Sequence, residues 1–181
     1  GMLIKKAMKG HVDLLGPASK VQEELMGIPS FETPDYSELF SEEKEIIGKL
    51  KKAFLMVAGG AVQKYGPNLE DHQQLLTAAA DILIEIYMAE STVLRTEKLA
   101  KKEGEENVKE QIAMAKLYLY KAVDVVTQKG KESIISFAEG DEQRMMLMGL
   151  RRFTKYTNMP NIVGLRETIT TKLVAENSYC F

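Results

Sequence analysis

Apolar residues return at intervals of three and four along most of this chain, the spacing that lays one stripe along a helix. The longest such pattern runs from Asn68 to Gly104, with Leu75/Leu76, Ala79, Ile82/Leu83, Ile86/Tyr87, Ala89 and Val93/Leu94 on the stripe. Asn68 suits an N-cap, Glu70 and Asp71 suit a first turn, and Lys98, Lys101 and Lys102 suit a last turn before Gly104. These charges complement the partly positive N-terminus and partly negative C-terminus of a helix. A stripe this long needs partners on several levels, so the other helices are expected to lie against it.

The same spacing predicts the rest. Ser41, with Glu42 and Glu43, opens a helix that runs to about Tyr65 and stops at Gly66-Pro67, with Ile46/Ile47, Leu50, Phe54, Val57 and Ala61 as its stripe. Another spans Glu105 to about Gly130, and a short helical turn is expected from Ser133 to Ala138. Asp141 caps a helix through about Tyr156, and Pro160 or Asn161 opens a last one reaching about Ala175. Upstream, Pro17 can start a short helix ending near Met26, and Met2–Leu15 is short and amphipathic, with Lys5, Lys6 and Lys9 on one side. Gly27 to Phe40, with two prolines, reads as an irregular linker. With no alternating strand pattern and no fixed-period repeat, the chain reads as all-α. The expected fold is an antiparallel up-and-down bundle of four main helices over 41–181, preceded by short N-terminal helices in 1–26 and the linker 27–40.

Composition narrows this picture a little. The 181 residues suffice for one domain with a real core, and a net charge of -2 gives no field that would gather nucleic acid. The single cysteine, Cys180, cannot form an internal disulfide, which fits a reducing compartment. No apolar run reaches the roughly 18 residues of a membrane span, and no secretory signal is expected. Gly1 before Met2 reads as a scar of tag removal; whether Met2 is a true start stays open.

Several residues invite chemistry. A di-iron centre needs Glu-x-x-His pairs on facing helices, and neither His11 nor His72 has a glutamate three residues before it. His72 stands near an apolar stripe without a visible Ser or Cys nucleophile, as a boundary residue would. Glu90 falls on the stripe of the long helix: it is either a carboxylate of raised pKa or the partner of a basic or hydroxyl group on a neighbouring helix, the second being the ordinary reading. Arg144, Arg151 and Lys155 share one helix face, with Arg152 beside it. They would make an anion or partner patch, for coenzyme A or another phosphate-bearing ligand, or a solvated face. Met145, Met146 and Met148 fill a core or line an adaptable groove. Gly59-Gly60-Ala61 lies mid-helix with no preceding strand, so it is no phosphate loop. It is read as a site of close packing, for which Ala78-Ala79-Ala80 would leave room.

Three stretches resemble the C-terminal part of acyl-CoA dehydrogenases, of the very-long-chain type and its bacterial relatives. MLIKKAMKGHVDLLGPASKVQEEL is similar to the segment after the family's Phe-Glu-Gly-Thr-Asn signature, so 1–26 would be the end of a preceding dehydrogenase domain. ADILIEIYMAESTVLRTEK, Ala80 to Lys98, resembles the family's ADxxIDxYAM…LxRA stretch in an added helical domain, and AENSYCF resembles its tail. The resemblance implies a parent enzyme that binds FAD and oxidises fatty acyl-CoA to enoyl-CoA in β-oxidation. There a glutamate removes the α-proton, flavin N5 takes the β-hydride, and an electron-transferring flavoprotein receives the electrons. The signature, the flavin-contacting β-domain and the catalytic glutamate's surroundings have no match here, so no catalytic, cofactor or metal residue carries over, and no flavin is expected on this piece alone. The implied role is structural: covering a dehydrogenase surface in a homodimeric bacterial, cytoplasmic enzyme. Attachment at the inner membrane is weakened by the acidic linker (Glu32, Asp35, Glu38) and kept alive by Lys5, Lys6 and Lys9. The alternative is a freestanding helical adaptor for a protein or a phosphate-bearing ligand.

Overall fold

The stripes become helices. In the computed structural model, which describes residues 13, 15–27 and 35–180, they are α1 (Leu15–Met26), α2 (Ser41–Tyr65), α3 (Gln73–Glu103), α4 (Lys109–Phe137), α5 (Gly140–Phe153) and α6 (Ile162–Glu176). Short 3-10 turns at Gly66–Asp71 and Glu105–Val108 join α2 to α3 and α3 to α4. No strand occurs among the described residues, so the fold is all-α as expected. Of the amphipathic stretch Met2–Leu15, residues 2–12 and 14 lie outside the described residues, as do 28–34 of the expected linker.

Polar contacts give the directions. Lys44 pairs with Glu97 at 2.7 Å and Lys51 with Glu90 at 2.6 Å, so α3 runs antiparallel to α2. Lys116 reaches Glu43 at 3.3 Å while the Tyr65 hydroxyl donates to the Ser136 carbonyl at 3.4 Å, so α4 is parallel to α2. Met146 faces Gly60 and Met56 faces Gly149, which turns α5 back again. The α2–α4 pair is central; α3 covers one side of it and α5 the other, α1 packs on α2, and α6 packs on α4.

The core follows this order. Ile46, Leu50 and Phe54 of α2 are buried with Ile82, Ile86 and Val93 of α3, Leu119, Val126 and Ile134 of α4, and Met146 and Phe153 of α5. Burying each large apolar side chain contributes about 1.5–3 kcal/mol relative to exposure. Phe40, just before α2, is buried at 1% exposure with φ 63°, a left-handed conformation that its anchoring in the core sustains.

The structure corrects several expectations. Asn68 does not cap the long helix: Gly66-Pro67 starts a tight 3-10 turn, Leu69 drops into the core, and α3 begins only after His72. Gly130 ends nothing, since α4 runs unbroken to Phe137 and absorbs the predicted turn at Ser133–Ala138. A Cβ there would sit 2.9 Å from Leu150 Cδ1, so the glycine marks a helix contact. The helix from Asp141 stops at Phe153, short of Tyr156. Gly59 and Gly60 meet not Ala78–Ala80 but Ala18 of α1 and Phe137 of α4 with Met146 of α5, respectively. The helices that most others lie against are α2, which touches α1, α3, α4 and α5, and α4, which touches α2, α3, α5 and α6. Asn161 does cap α6, its side chain accepting from Gly164 N at 3.1 Å.

Two glycines of α2 make opposite predictions. A Cβ at Gly59 would stand 2.5 Å from Ala18 Cβ, an atom fixed to backbone, whereas one at Gly48 would meet nothing within 4 Å. Gly48→Ala should stabilise by about 1 kcal/mol through helix propensity. Gly59→Ala should destabilise despite the same propensity gain, because α1 must move off. Urea denaturation of both variants checks the contrast; a stabilised Gly59→Ala would refute the packing role.

Candidate functional site

Polar seams tie the helices together, most of them built around charged pairs such as Lys116–Glu43 between α2 and α4 and Lys52–Glu24 between α1 and α2. Between α2 and α3, Glu97 pairs with Lys44 at 2.7 Å and with Lys101 of its own helix at 2.8 Å. Glu90 lies on the same seam, held by Lys51 and 37% exposed. Between α3 and α4, Lys129 reaches Asp81 at 3.3 Å, and the Tyr118 hydroxyl donates to Glu85 at 2.9 Å. Burial, and then that bond to a carboxylate, push the Tyr118 phenol up to about 12. Between α4 and α6, Lys172 stands 3.6 Å from the buried Glu110.

A further seam closes the end of the bundle. Glu42, in the first turn of α2, accepts from the backbone N–H of Thr157 at 2.9 Å and of Asn158 at 2.7 Å, and from the Asn158 side chain at 3.1 Å. It thereby fixes the loop between α5 and α6. Tyr36 donates to Glu45 at 2.6 Å beside the same loop, which holds its phenol above the usual range. Tyr156 is buried under this tether with no hydrogen-bond partner for its hydroxyl among the described residues. Burial first, then Glu43, Glu42 and Asp124, keep it a neutral phenol.

A cleft of about 750 Å³ opens between the start of α3 and the second half of α4, lined by Tyr65, His72, Thr77, Lys129, Ser133 and Ser136 among others. It has the ingredients of a hydrolytic site but not their arrangement. The His72 ring stacks on Tyr65 with centroids 3.7 Å apart, while Ser133 donates to the Lys129 carbonyl and Ser136 to the Ser133 carbonyl. Both hydroxyls are spent on the helix backbone, and no serine hydrogen-bonds to His72, as an activated nucleophile would require. Among the described residues no three His, Cys, Asp or Glu side chains gather to hold a metal.

The basic patch of α5 is spread over solvent. Arg144, Arg151, Arg152 and Lys155 are all exposed, and Arg144 is engaged by Asp141 of its own helix at 3.1 Å. The neighbouring methionines divide: Met146 is buried at 1% exposure and Met148 stands out at 70%. Two features were missed in the sequence. The Glu42 tether had a weak signal, an acid in a first turn, but its loop partners are 115 residues away. Tyr87 and Leu94, read as part of the buried stripe, are 68% and 50% exposed. The buried stripe runs through Ala78, Ile82, Ile86, Ala89, Val93, Thr96 and Ala100, and the strict 3.6-residue phase separates these from their neighbours.

An all-α bundle whose polar groups join helix to helix defines a helical structural domain. The sequence profile described as "Acyl-CoA dehydrogenase, C-terminal domain" matches residues 49–152, and the chain belongs to that family. It is 38% identical over 173 residues to a probable acyl-CoA dehydrogenase of Bacillus subtilis (strain 168), covering 96% of this chain and 29% of that protein. It superposes with a TM-score of 0.90 and 38% identity on the crystal structure of an acyl-CoA dehydrogenase complexed with FAD from Bacillus anthracis, covering all of this chain and 30% of that one. The chain therefore spans less than a third of the length of these relatives.

The Glu97 seam titrates in a stated direction. The hydrogen bond from Lys101, then that from Lys44, hold the Glu97 carboxyl below its ordinary value. A carboxyl depressed on folding stabilises above its unfolded pKa and loses that contribution as pH falls through the folded one. Glu97→Gln should therefore melt below the parent at neutral pH, with the gap closing on acidification. A gap that stays constant through the acid range would show the seam to be electrostatically silent.

Proposed function

We propose that this chain is the non-catalytic helical domain of an FAD-dependent enzyme that oxidises fatty acyl-CoA to enoyl-CoA. Its role is to cover and brace the dehydrogenase region of the same protein. The observation that carries this reading is the match over 49–152 in a bundle whose helices are joined by charged pairs across their seams. The relatives supply the chemistry by name: one is described as a probable acyl-CoA dehydrogenase and another was crystallised with FAD. In this reading flavin and acyl-CoA belong to the missing two-thirds of the parent, the parent is a homodimer, and it works in the bacterial cytoplasm. No described helix is long and apolar enough to cross a membrane.

Expression of the complete reading frame that contains this chain tests the assignment. The expected product is yellow, and reduces an artificial acceptor with a fatty acyl-CoA, while the 181-residue chain purified alone is colourless and inert. A colourless full-length protein without that activity, or flavin held stoichiometrically by the 181-residue chain, would overturn it.

A further inference from the structure

Helix α3 carries side chains that the bundle does not use. Ile84, Tyr87, Met88 and Leu94 are 58%, 68%, 44% and 50% exposed, and their spacing aligns them along one solvent-facing strip. Single exposed apolar residues are ordinary on a monomer; a strip of four large ones marks a contact surface. Farther along the strip stand Arg95 and Lys98, both exposed and without an ion-pair partner among the described residues. Across the seam lies Gly48 of α2, where an added Cβ would meet nothing within 4 Å. The missing side chain leaves a hollow of about 100 Å³ between Ile47, Val93 and Leu94, with the Lys51–Glu90 pair at its rim. A mid-helix glycine costs about 1 kcal/mol relative to alanine. At Gly59, Gly60, Gly130 and Gly149 a close neighbour within the domain accounts for it; at Gly48 none does.

We propose that this face of α2 and α3 docks on the dehydrogenase region of the parent chain. A side chain of that region would seat in the Gly48 hollow, and acidic groups would face Arg95 and Lys98. The proposal rests on the reading above and names the surface by which the covering is done. The length of the solved relative selects this occupant. The solved relative is more than three times longer than the chain, so the larger part of the protein is tethered to this domain. Through a short linker it meets the domain at an effective concentration on the order of millimolar, well above that of a free partner. Ile84 and Tyr87 are 58% and 68% exposed, so packing inside the domain leaves both largely unused. A shaped hollow also suits a rigid protein surface better than a lipid one.

Hydroxyl-radical footprinting read residue by residue in a mass spectrometer tests this with native reporters. Oxidation of Tyr87 and Met88 is compared between the complete protein and the 181-residue chain, with Met148 as an exposed reference. The expected result is a roughly fivefold fall at Tyr87 and Met88 in the complete protein relative to Met148, as in a water-excluding interface. Equal rates in the two proteins would overturn the proposal. So would a fall in the 181-residue chain alone that grows with concentration, which would assign the face to a second copy. A fall that appears only with phosphatidylglycerol vesicles would assign it to a membrane and likewise refute docking. Tyr87→Asp gives an independent readout: it should lower the melting temperature of the complete protein and leave that of the 181-residue chain unchanged. If the complete protein holds no flavin, the enzymatic reading fails while the footprint still reports whether the rest of the chain covers α3.

Discussion

Everything in this bundle depends on how closely four helices can approach α4. That helix is buried along its length, with Ala115, Leu119, Ala122, Val126, Gly130 and Ile134 facing inward. Large and small residues alternate there. Leu119, Val126 and Ile134 are wholly enclosed, and between them the small Ala115, Ala122 and Gly130 leave room for neighbours, the Leu150 side chain at Gly130. Close packing of this kind fixes geometry, because a volume change of even one methylene must be taken up by neighbours. The arrangement of α2, α3 and α5 is thus a consequence of where α4 is thin.

The charged pairs are best understood as registers laid over that packing. Lys116 to α2, Lys129 to α3 and Glu110 to α6 each leave α4 toward a different neighbour. Exposed pairs of this sort contribute little free energy individually, so they do not hold the bundle together. What they do is penalise a slip of one turn, which would leave every pair on a seam unmatched at once. The Glu42 tether is of a different kind. It satisfies two loop N–H groups and a side-chain amide with one carboxylate, and so orders a segment that has no helix to order it.

Much of this was legible in the sequence, and the limits have physical causes. The end of α2 was written in Gly66-Pro67 and the start of α6 in Asn161, because caps and breakers act locally; Ser41 begins α2 without capping it, its hydroxyl donating to the Glu38 carbonyl. Gly130 misled because a glycine that ends a helix and one that admits a neighbour look alike along the chain; Leu150 decides between them, and it is twenty residues away. The same holds for Gly59, whose partner Ala18 lies on an earlier helix. Asn68 misled because a good cap is no use where Pro67 and a buried Leu69 impose a tighter turn. The side chains weighed for chemistry were assigned roles by type, and their roles turned out to depend on what crosses the seam, as Lys51 does for Glu90.

That dependence bears on how a domain without reactive chemistry can be read for function. Inside a stable bundle each locally unfavourable residue has a reason among its neighbours, since sequences that fold well have few uncompensated conflicts. Phe40 with its positive φ has the core, and Gly60 has Phe137 and Met146. A conflict left without an internal reason then points outward. Gly48 and the apolar strip beside it are two such conflicts on one face. The solvated arginines of α5 are not, because water satisfies them where they stand. Reactive groups identify an enzyme's site by what they can do; in a covering domain the corresponding signal is what the fold itself fails to use.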